Sequence, residues 1–549
     1  MTVRHILVLA TTLSFWYIYE DLSFRNCQQN TRIMPSIYGT LAVAVMTVGA
    51  QQTPFNWKPC PDTNDTRVQC GFLKVPLNHL DPSPDQTIDI AVRRFRVPNA
   101  AKGTILVNPG GPGIPGMPFA ESGVAQYLGG QHDVLGFDPR GVGMSRPARC
   151  TKNGYTASNE WPSRSNVPFD SPTAETSLGR YGASIEAIVR RCEMYDGDYV
   201  KHLSTSFVAR DMDLIRAALN ESVVNYYGKS YGTVLGATYV NMFPHRVGRV
   251  VIESVLDPTL YTGPSSDLLA TSTVDADETF DSFANTCEAA GQANCPLASE
   301  PQVGRRVREF LATMEETPVI APTAAGDDFS VLTAADVRFM ILKALYDPNK
   351  WLVLARDLHN LLRGQYVSPP VPDTCPVTNP SYLGMSMEFP IYIANDGELK
   401  GTQDWHRALR EAKRNSPLFG MQFAYDALPA MYWKTRPVER YSGPWNVQLR
   451  QPILILQNKI DPVTPLRGAR ALARLMGSNA VLVTRDGYGH GIDRMRSSCI
   501  RNTLAAFFNN ATYPNHNSNC KVDAGPFDPK PDQASTERKL DEVDEAARL

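Results

Sequence analysis

The chain has 549 residues, 43% of them hydrophobic and 20% charged, with a formal net charge of −2. That length can hold several domain-sized cores, and the near-zero charge excludes an electrostatic case for nucleic acid or an anionic membrane surface. A partner has to be recognised by a pocket.

Ten cysteines stand at positions 27, 60, 70, 150, 192, 287, 295, 375, 499 and 520. None forms a Cys-x-x-Cys pair and no histidine cluster accompanies them, so no metal site and no cofactor are expected. Several bracket short loops, as in chains made for an oxidising compartment. Sequons at Asn64, Asn220 and Asn510 fit the same compartment.

Near the N-terminus, residues 5–18 are apolar but short for a membrane span. A second apolar run from Ile37 to Ala50 follows Met34 and ends in Val48-Gly49-Ala50, residues a signal peptidase accepts. Residues 34–50 are therefore read as a signal peptide and 1–33 as an extension from a misassigned start. The competing reading is a membrane anchor at 5–18. A secreted monomer without stable membrane association is expected.

From about Phe55 the pattern turns globular. Residues 87–97 alternate apolar and polar, as a half-exposed strand does. Residues 103–107 are continuously apolar, as in a strand buried on both faces, and feed Asn108-Pro109-Gly110-Gly111-Pro112-Gly113. Residues 132–137 give the next strand and lead into Asp138-Pro139-Arg140-Gly141. A helix is predicted over 205–219, with Phe207, Met212, Leu214, Ile215 and Leu219 on its apolar side. An apolar run from Val223 to Tyr227 then enters Gly228-Lys229-Ser230-Tyr231-Gly232 and leaves as a helix from Val234; residues 249–252 form a further short strand. After Asp257-Pro258 the rhythm changes to helices separated by Pro-rich loops, and strand–helix alternation returns only at 452–456 and 480–484.

Strands alternating with helices imply a mostly parallel sheet covered on both faces. The segmentation is an N-terminal extension and signal peptide (1–50), a core in two parts (55–258 and 446–525), an inserted mainly helical cap (259–445) and a charged tail (526–549).

The chemistry rests on three residues. A serine hydroxyl needs a positioned base, itself oriented by a carboxylate. Gly-x-Ser-x-Gly between a strand and a helix lifts Ser230 above a sheet edge, at a helix N-terminus. Asp461 and His490 each follow a predicted strand, and the order Ser…Asp…His is that of the α/β-hydrolase fold. Alone, Asp461 could merely cap the helix starting near Pro465, and His490 could be an ordinary loop histidine; their joint placement argues otherwise. The expected oxyanion donors are the N–H groups of Gly111 and Tyr231. A phosphate-loop reading of 108–113 fails for want of Gly-Lys-Ser/Thr at the right spacing.

NPGGPG at 108–113, FDPRGVGMSRP at 137–147, YYGKSYGTVLGATY at 226–239, DPVTP at 461–465 and GHG at 489–491 together resemble the secreted tripeptidyl-aminopeptidase branch of the prolyl-aminopeptidase-like (S33) α/β-hydrolases. The resemblance implies Ser230, Asp461 and His490 as the triad and a supporting role for the 138–141 loop. It also implies disulfides Cys60–Cys70, Cys150–Cys192, Cys287–Cys295 and Cys499–Cys520. Where relatives carry a cap disulfide this chain has Ala394 and Ala430, and Glu253-Ser254 stands where they have Asp-Gly, leaving Cys375 free or paired elsewhere.

The expected activity is a serine exopeptidase acting through an acyl-enzyme on peptides with a free N-terminus. Glu253, just past a strand at the site edge, is the expected anchor for the substrate ammonium. The alternatives are a carboxylic-ester hydrolase or acyltransferase of specialised metabolism, and a non-catalytic binding protein on a hydrolase scaffold. An epoxide hydrolase or dehalogenase would need Asp at 230.

Overall fold

The computed structural model describes residues 54–98, 102–150, 174–323, 326, 328–368, 387–398, 402–421 and 429–528. The extension and signal peptide expected at 1–50, Cys27, Cys375 and the tail from 529 lie outside them.

A ten-stranded sheet organises the core, its strands numbered in chain order. One edge is antiparallel: Lys58–Pro59 (β1), Val68–Pro76 (β2) and Thr87–Phe95 (β3), with β3 against Asp133–Phe137 (β5). From β5 the ladder runs parallel through Thr104–Asn108 (β4), Val224–Lys229 (β6), Val247–Glu253 (β7), Ile453–Ile460 (β10), Ala480–Tyr488 (β11) and Ser518–Lys521 (β12).

The continuous apolar runs split their side chains between two cores, as period-two geometry requires. Ile105, Val107, Tyr227, Val251, Leu454 and Leu456 pack on one face under Ser122–Tyr127 (α1) and Ser498–Asn510 (α14). Leu106, Tyr226, Ile252, Ile453 and Ile455 pack on the other. That face is covered by Ala174–Val200 (α2), Thr205–Ala218 (α3), Tyr231–Met242 (α4) and Leu466–Met476 (α13).

Between β7 and β10 the chain leaves the sheet. Pro258–Tyr261 (α5) and Ser265–Ser272 (α6) follow, then Ala276–Asn294 (α7), Val303–Glu316 (α8), Ala334–Leu345 (α9) and Trp351–Leu362 (α10). The last four enclose their own core around Phe280, Phe283, Leu311, Ile341, Trp351 and Leu358. Glu388–Asp396 (α11) and Thr402–Asn415 (α12) instead join the main core through Ile391, Tyr392 and Trp405.

The excursion is not purely helical. Val319–Pro322 (β8) and Phe329–Leu332 (β9) form an antiparallel pair absent from the sequence reading. Their outward residues Ile320, Phe329 and Val331 are exposed although apolar, so no polar alternation marked the strands. β10 and β11 also run past the predicted ends at 456 and 484. Polar Gln457 and Asn458 are buried there because their amides serve loop backbone: Gln457 accepts from Val255 N–H, and Asn458 donates to the Gly489 and Gly491 carbonyls.

Disulfides join Cys60–Cys70, Cys150–Cys192, Cys287–Cys295 and Cys499–Cys520, the pairs the resemblance implied. Cys150–Cys192 closes a separation of 42 residues within the main core. Replacing both cysteines by serine is expected to lower unfolding stability by roughly 3–4 kcal/mol, read as an earlier denaturant midpoint; an unchanged midpoint would deny the bond a structural role.

Candidate active site

Ser230 is the partly exposed residue between two buried runs, 224–229 and 231–241. Its backbone has φ 57° and ψ −123°, the strained strand-to-helix turn that side chains seldom adopt. The turn is possible only because neighbouring backbone can close on it. A Cβ on Gly228 would lie 2.4 Å from Gly232 O, and one on Gly232 would lie 2.7 Å from Asn108 O. A Cβ on Gly110 would meet the Ser230 Cβ at 2.8 Å, so the 108–113 loop lies directly on the turn. The N–H groups of Gly111 and Tyr231 donate to no protein acceptor among the described residues.

β6, β7, β10 and β11 are successive parallel neighbours, so their carboxyl ends share one edge. Asp461 follows β10 and is fully buried; His490 follows β11 and is 8% exposed. Nδ1 of His490 lies 3.2 Å from both Asp461 carboxylate oxygens. Asp461 also accepts from the N–H groups of Val463 and Thr464 and from the Thr464 hydroxyl, the last at 2.7 Å. These bonds hold the carboxylate oxygens against Nδ1 of His490, so that in the neutral imidazole Nδ1 carries the proton and Nε2 does not.

Thr464 was not singled out in the sequence. Its hydroxyl touches both Asp461 and, at 3.1 Å, His490 Nδ1. The signal was there: Asp-x-x-Thr before a helix is a turn in which side chains cap backbone N–H groups.

Glu253 is a correction. It ends β7, as expected, but is fully buried with its carboxylate turned into the protein. It accepts from Ile492 N–H (2.7 Å), Tyr227 OH (3.2 Å) and Ser254 OH (3.0 Å) and lies 3.9 Å from Lys229 Nζ. Burial raises its pKa, against the pull of Lys229. A carboxylate without solvent access cannot receive a substrate ammonium, so the anchor role fails. Lys229 in turn donates to Asp493 at 2.7 Å. Glu253, Lys229 and Asp493 thus tie the residue before Ser230 to the loop after His490.

The Asp138–Gly141 loop is tied into the core through Arg140. Arg140 is fully buried, bonds Asp211 through two nitrogens at 2.7 and 2.8 Å and caps the Leu77 and His202 carbonyls. Its own carbonyl accepts from Tyr392 on α11. From the same helix Asp396 accepts from Thr205 Oγ1, which also meets Tyr231 OH at 2.7 Å. Burial lifts the Asp396 pKa to about 6.

A second cap carboxylate, Asp275, is half-buried just before α7. Its pKa is pushed up to about 6 by burial and by the nearby Glu278 and Asp461 carboxylates. The sequon asparagines Asn64, Asn220 and Asn510 are exposed. The described residues contain no His/Cys/Asp/Glu cluster able to hold a metal and no helix long and apolar enough to cross a membrane.

Thr464→Val removes a charge-assisted bond of about 1.5 kcal/mol and is expected to lower kcat/KM about tenfold with the fold intact. Unchanged kcat/KM would show that Asp461 needs no help in holding His490.

Residues 103–289 match the alpha/beta hydrolase fold family and residues 416–520 the family described as TAP-like protein. A tripeptidyl aminopeptidase of Streptomyces coelicolor is 27% identical over 484 residues, 84% of this chain and 85% of that protein. Serine protease Hip1 of Mycobacterium tuberculosis is 28% identical over 497 residues, covering 85% of this chain and 91% of that one. A protein named carboxylesterase B, also from Mycobacterium tuberculosis, is 26% identical over 538 residues, 89% and 95% of the two chains. With the parallel sheet and its edge residues, these matches identify the chain as a serine hydrolase of α/β-hydrolase fold, related over most of its length to the tripeptidyl-aminopeptidase-like enzymes.

Proposed function

We propose that Ser230, Asp461 and His490 are a catalytic triad, and that the chain is a secreted serine exopeptidase cleaving peptides with a free N-terminus. The observation that carries the reading is the meeting of His490 Nδ1 with both Asp461 oxygens at 3.2 Å, on the sheet edge that raises Ser230. In this reading Ser230 Oγ attacks the carbonyl while His490 Nε2 takes its proton. The oxyanion develops between the N–H groups of Gly111 and Tyr231. Protonated His490 then releases the leaving amine, and water repeats the sequence to free the acyl group.

The names of the peptidase relatives support a peptide substrate. In place of Glu253 we assign the substrate ammonium to Asp275, a half-buried cap carboxylate at the start of α7 that keeps solvent access. Four disulfides and three exposed sequon asparagines support an extracellular, glycosylated protein. An ester substrate is the second reading, favoured by the relative named carboxylesterase B.

The test compares the wild type and Ser230→Ala on free and N-acetylated tripeptidyl anilides and on p-nitrophenyl esters. The wild type is expected to turn over unblocked peptides in strong preference, and Ser230→Ala to lose about 10⁴-fold or more in kcat. Asp275→Asn should raise KM for the unblocked peptide alone. Turnover of esters only would transfer the assignment to the second reading, and equal turnover by Ser230→Ala would remove the triad.

A further inference from the structure

His490 sits between two glycines of positive φ, Gly489 at 90° and Gly491 at 117°. Glycines there give the loop wide conformational freedom, so the imidazole keeps its place only if the loop backbone is tied down. The core supplies part of the tying. Asn458 Nδ2 donates to the Gly489 carbonyl at 2.8 Å and the Gly491 carbonyl at 3.1 Å, and Glu253 accepts from Ile492 N–H. Arg485 donates to the carbonyls of Ile492 and Met495.

The acceptor for the N–H of His490 itself comes from the cap. It is the carbonyl of Tyr346, at 2.8 Å, in the turn between α9 and α10. The Tyr346 ring meets the His490 ring edge-on, with centroids 5.2 Å apart. The same turn presses on the preceding glycine: a Cβ there would lie 2.6 Å from Pro348 Cδ and 2.8 Å from Tyr346 O. Asn349 donates to the Arg494 carbonyl at 2.5 Å, and Asp347 lies 3.6 Å from the Arg494 guanidinium. Trp351 stacks on Tyr488 at 5.3 Å, inserting a residue of the cap's core against the end of β11. Tyr346, Asp347, Asn349 and Trp351 thus each contact the segment 488–494, and Pro348 leaves no room for a side chain on Gly489.

We propose that the cap turn Tyr346–Trp351 positions His490, so that the cap takes part in base catalysis as well as in substrate selection. The inference rests on the triad reading. A cap displaced from this contact would leave the His490 N–H without its acceptor and uncover one side of the imidazole. A misplacement of about 1 Å at a catalytic group can cost about 100-fold in rate.

The test uses the full chain with two probes, an unblocked tripeptidyl p-nitroanilide and p-nitrophenyl acetate. The acetyl ester is too small to depend on the cap for binding, so it reports on the base. Tyr346→Ala and Asn349→Ala are expected to lower kcat about tenfold or more on both probes, with KM for the ester within about twofold of wild type. Tyr346→Phe, which keeps the ring, should restore kcat. Asn349 is exposed, so its variant reads the contact even if Tyr346→Ala fails to fold. Unchanged ester turnover beside weakened peptide turnover would overturn the inference, leaving the cap a substrate filter. Loss in Tyr346→Phe equal to that in Tyr346→Ala would also overturn it, because the ring would not be what holds the imidazole. Absence of Ser230-dependent turnover in the wild type would instead overturn the triad reading, and the inference with it.

Discussion

The turn at Ser230 is the constraint from which the site follows. A non-glycine residue at φ 57° is held there against its preference, so the surroundings have to over-determine it. They do so with backbone: Gly228 against Gly232, Gly232 against Asn108, Gly110 against Ser230 itself. Each close approach requires a missing side chain, and each brings a peptide group to the serine. The 108–113 loop also reaches the start of the helix, since a Cβ on Gly110 would lie 3.3 Å from the Tyr231 nitrogen. Tyr231 is held at its far end as well, through Thr205 and Asp396 on α11.

The histidine side of the site is built differently. Ser230 stands on a rigid strand–helix junction, whereas His490 hangs in a glycine loop and depends on contacts from three directions. Asn458 holds it from β10, Glu253 and Lys229 from the buried interior, and Tyr346 from the cap. Glu253 belongs to this support. Its carboxylate lies beside Lys229, which also pairs with Asp493, and none of the three side chains is more than 8% exposed. Removing one partner from such a group leaves another charge unpaired, which costs more than the pair contributes.

Much of this was legible in the sequence because parallel strands buried on both faces appear as uninterrupted apolar runs. The residues just past them are then the ones a sheet edge exposes. That logic located Ser230, Asp461 and His490 at strand ends, and it located Glu253 as well. It failed for Glu253 because spacing says which edge a residue occupies, not which way its side chain turns. The inward turn is set by Ile492 N–H and Lys229, distant in sequence. The β8–β9 hairpin was illegible for a related reason, since its solvent face carries Ile320, Phe329 and Val331 in place of polar residues. The grip of Tyr346 on His490 joins a ring contact to a backbone carbonyl across 144 positions of sequence, and no local motif marks it.

If Ser230 is the nucleophile of an acyl-transfer site, it reacts with an electrophile that mimics the acyl group. Treating the folded protein with a fluorophosphonate and mapping the adduct by peptide mass spectrometry tests it directly. One adduct is expected, on Ser230, lost on denaturation before labelling and absent from His490→Ala. An adduct on another residue, or labelling of Ser230 that persists without His490, would contradict it.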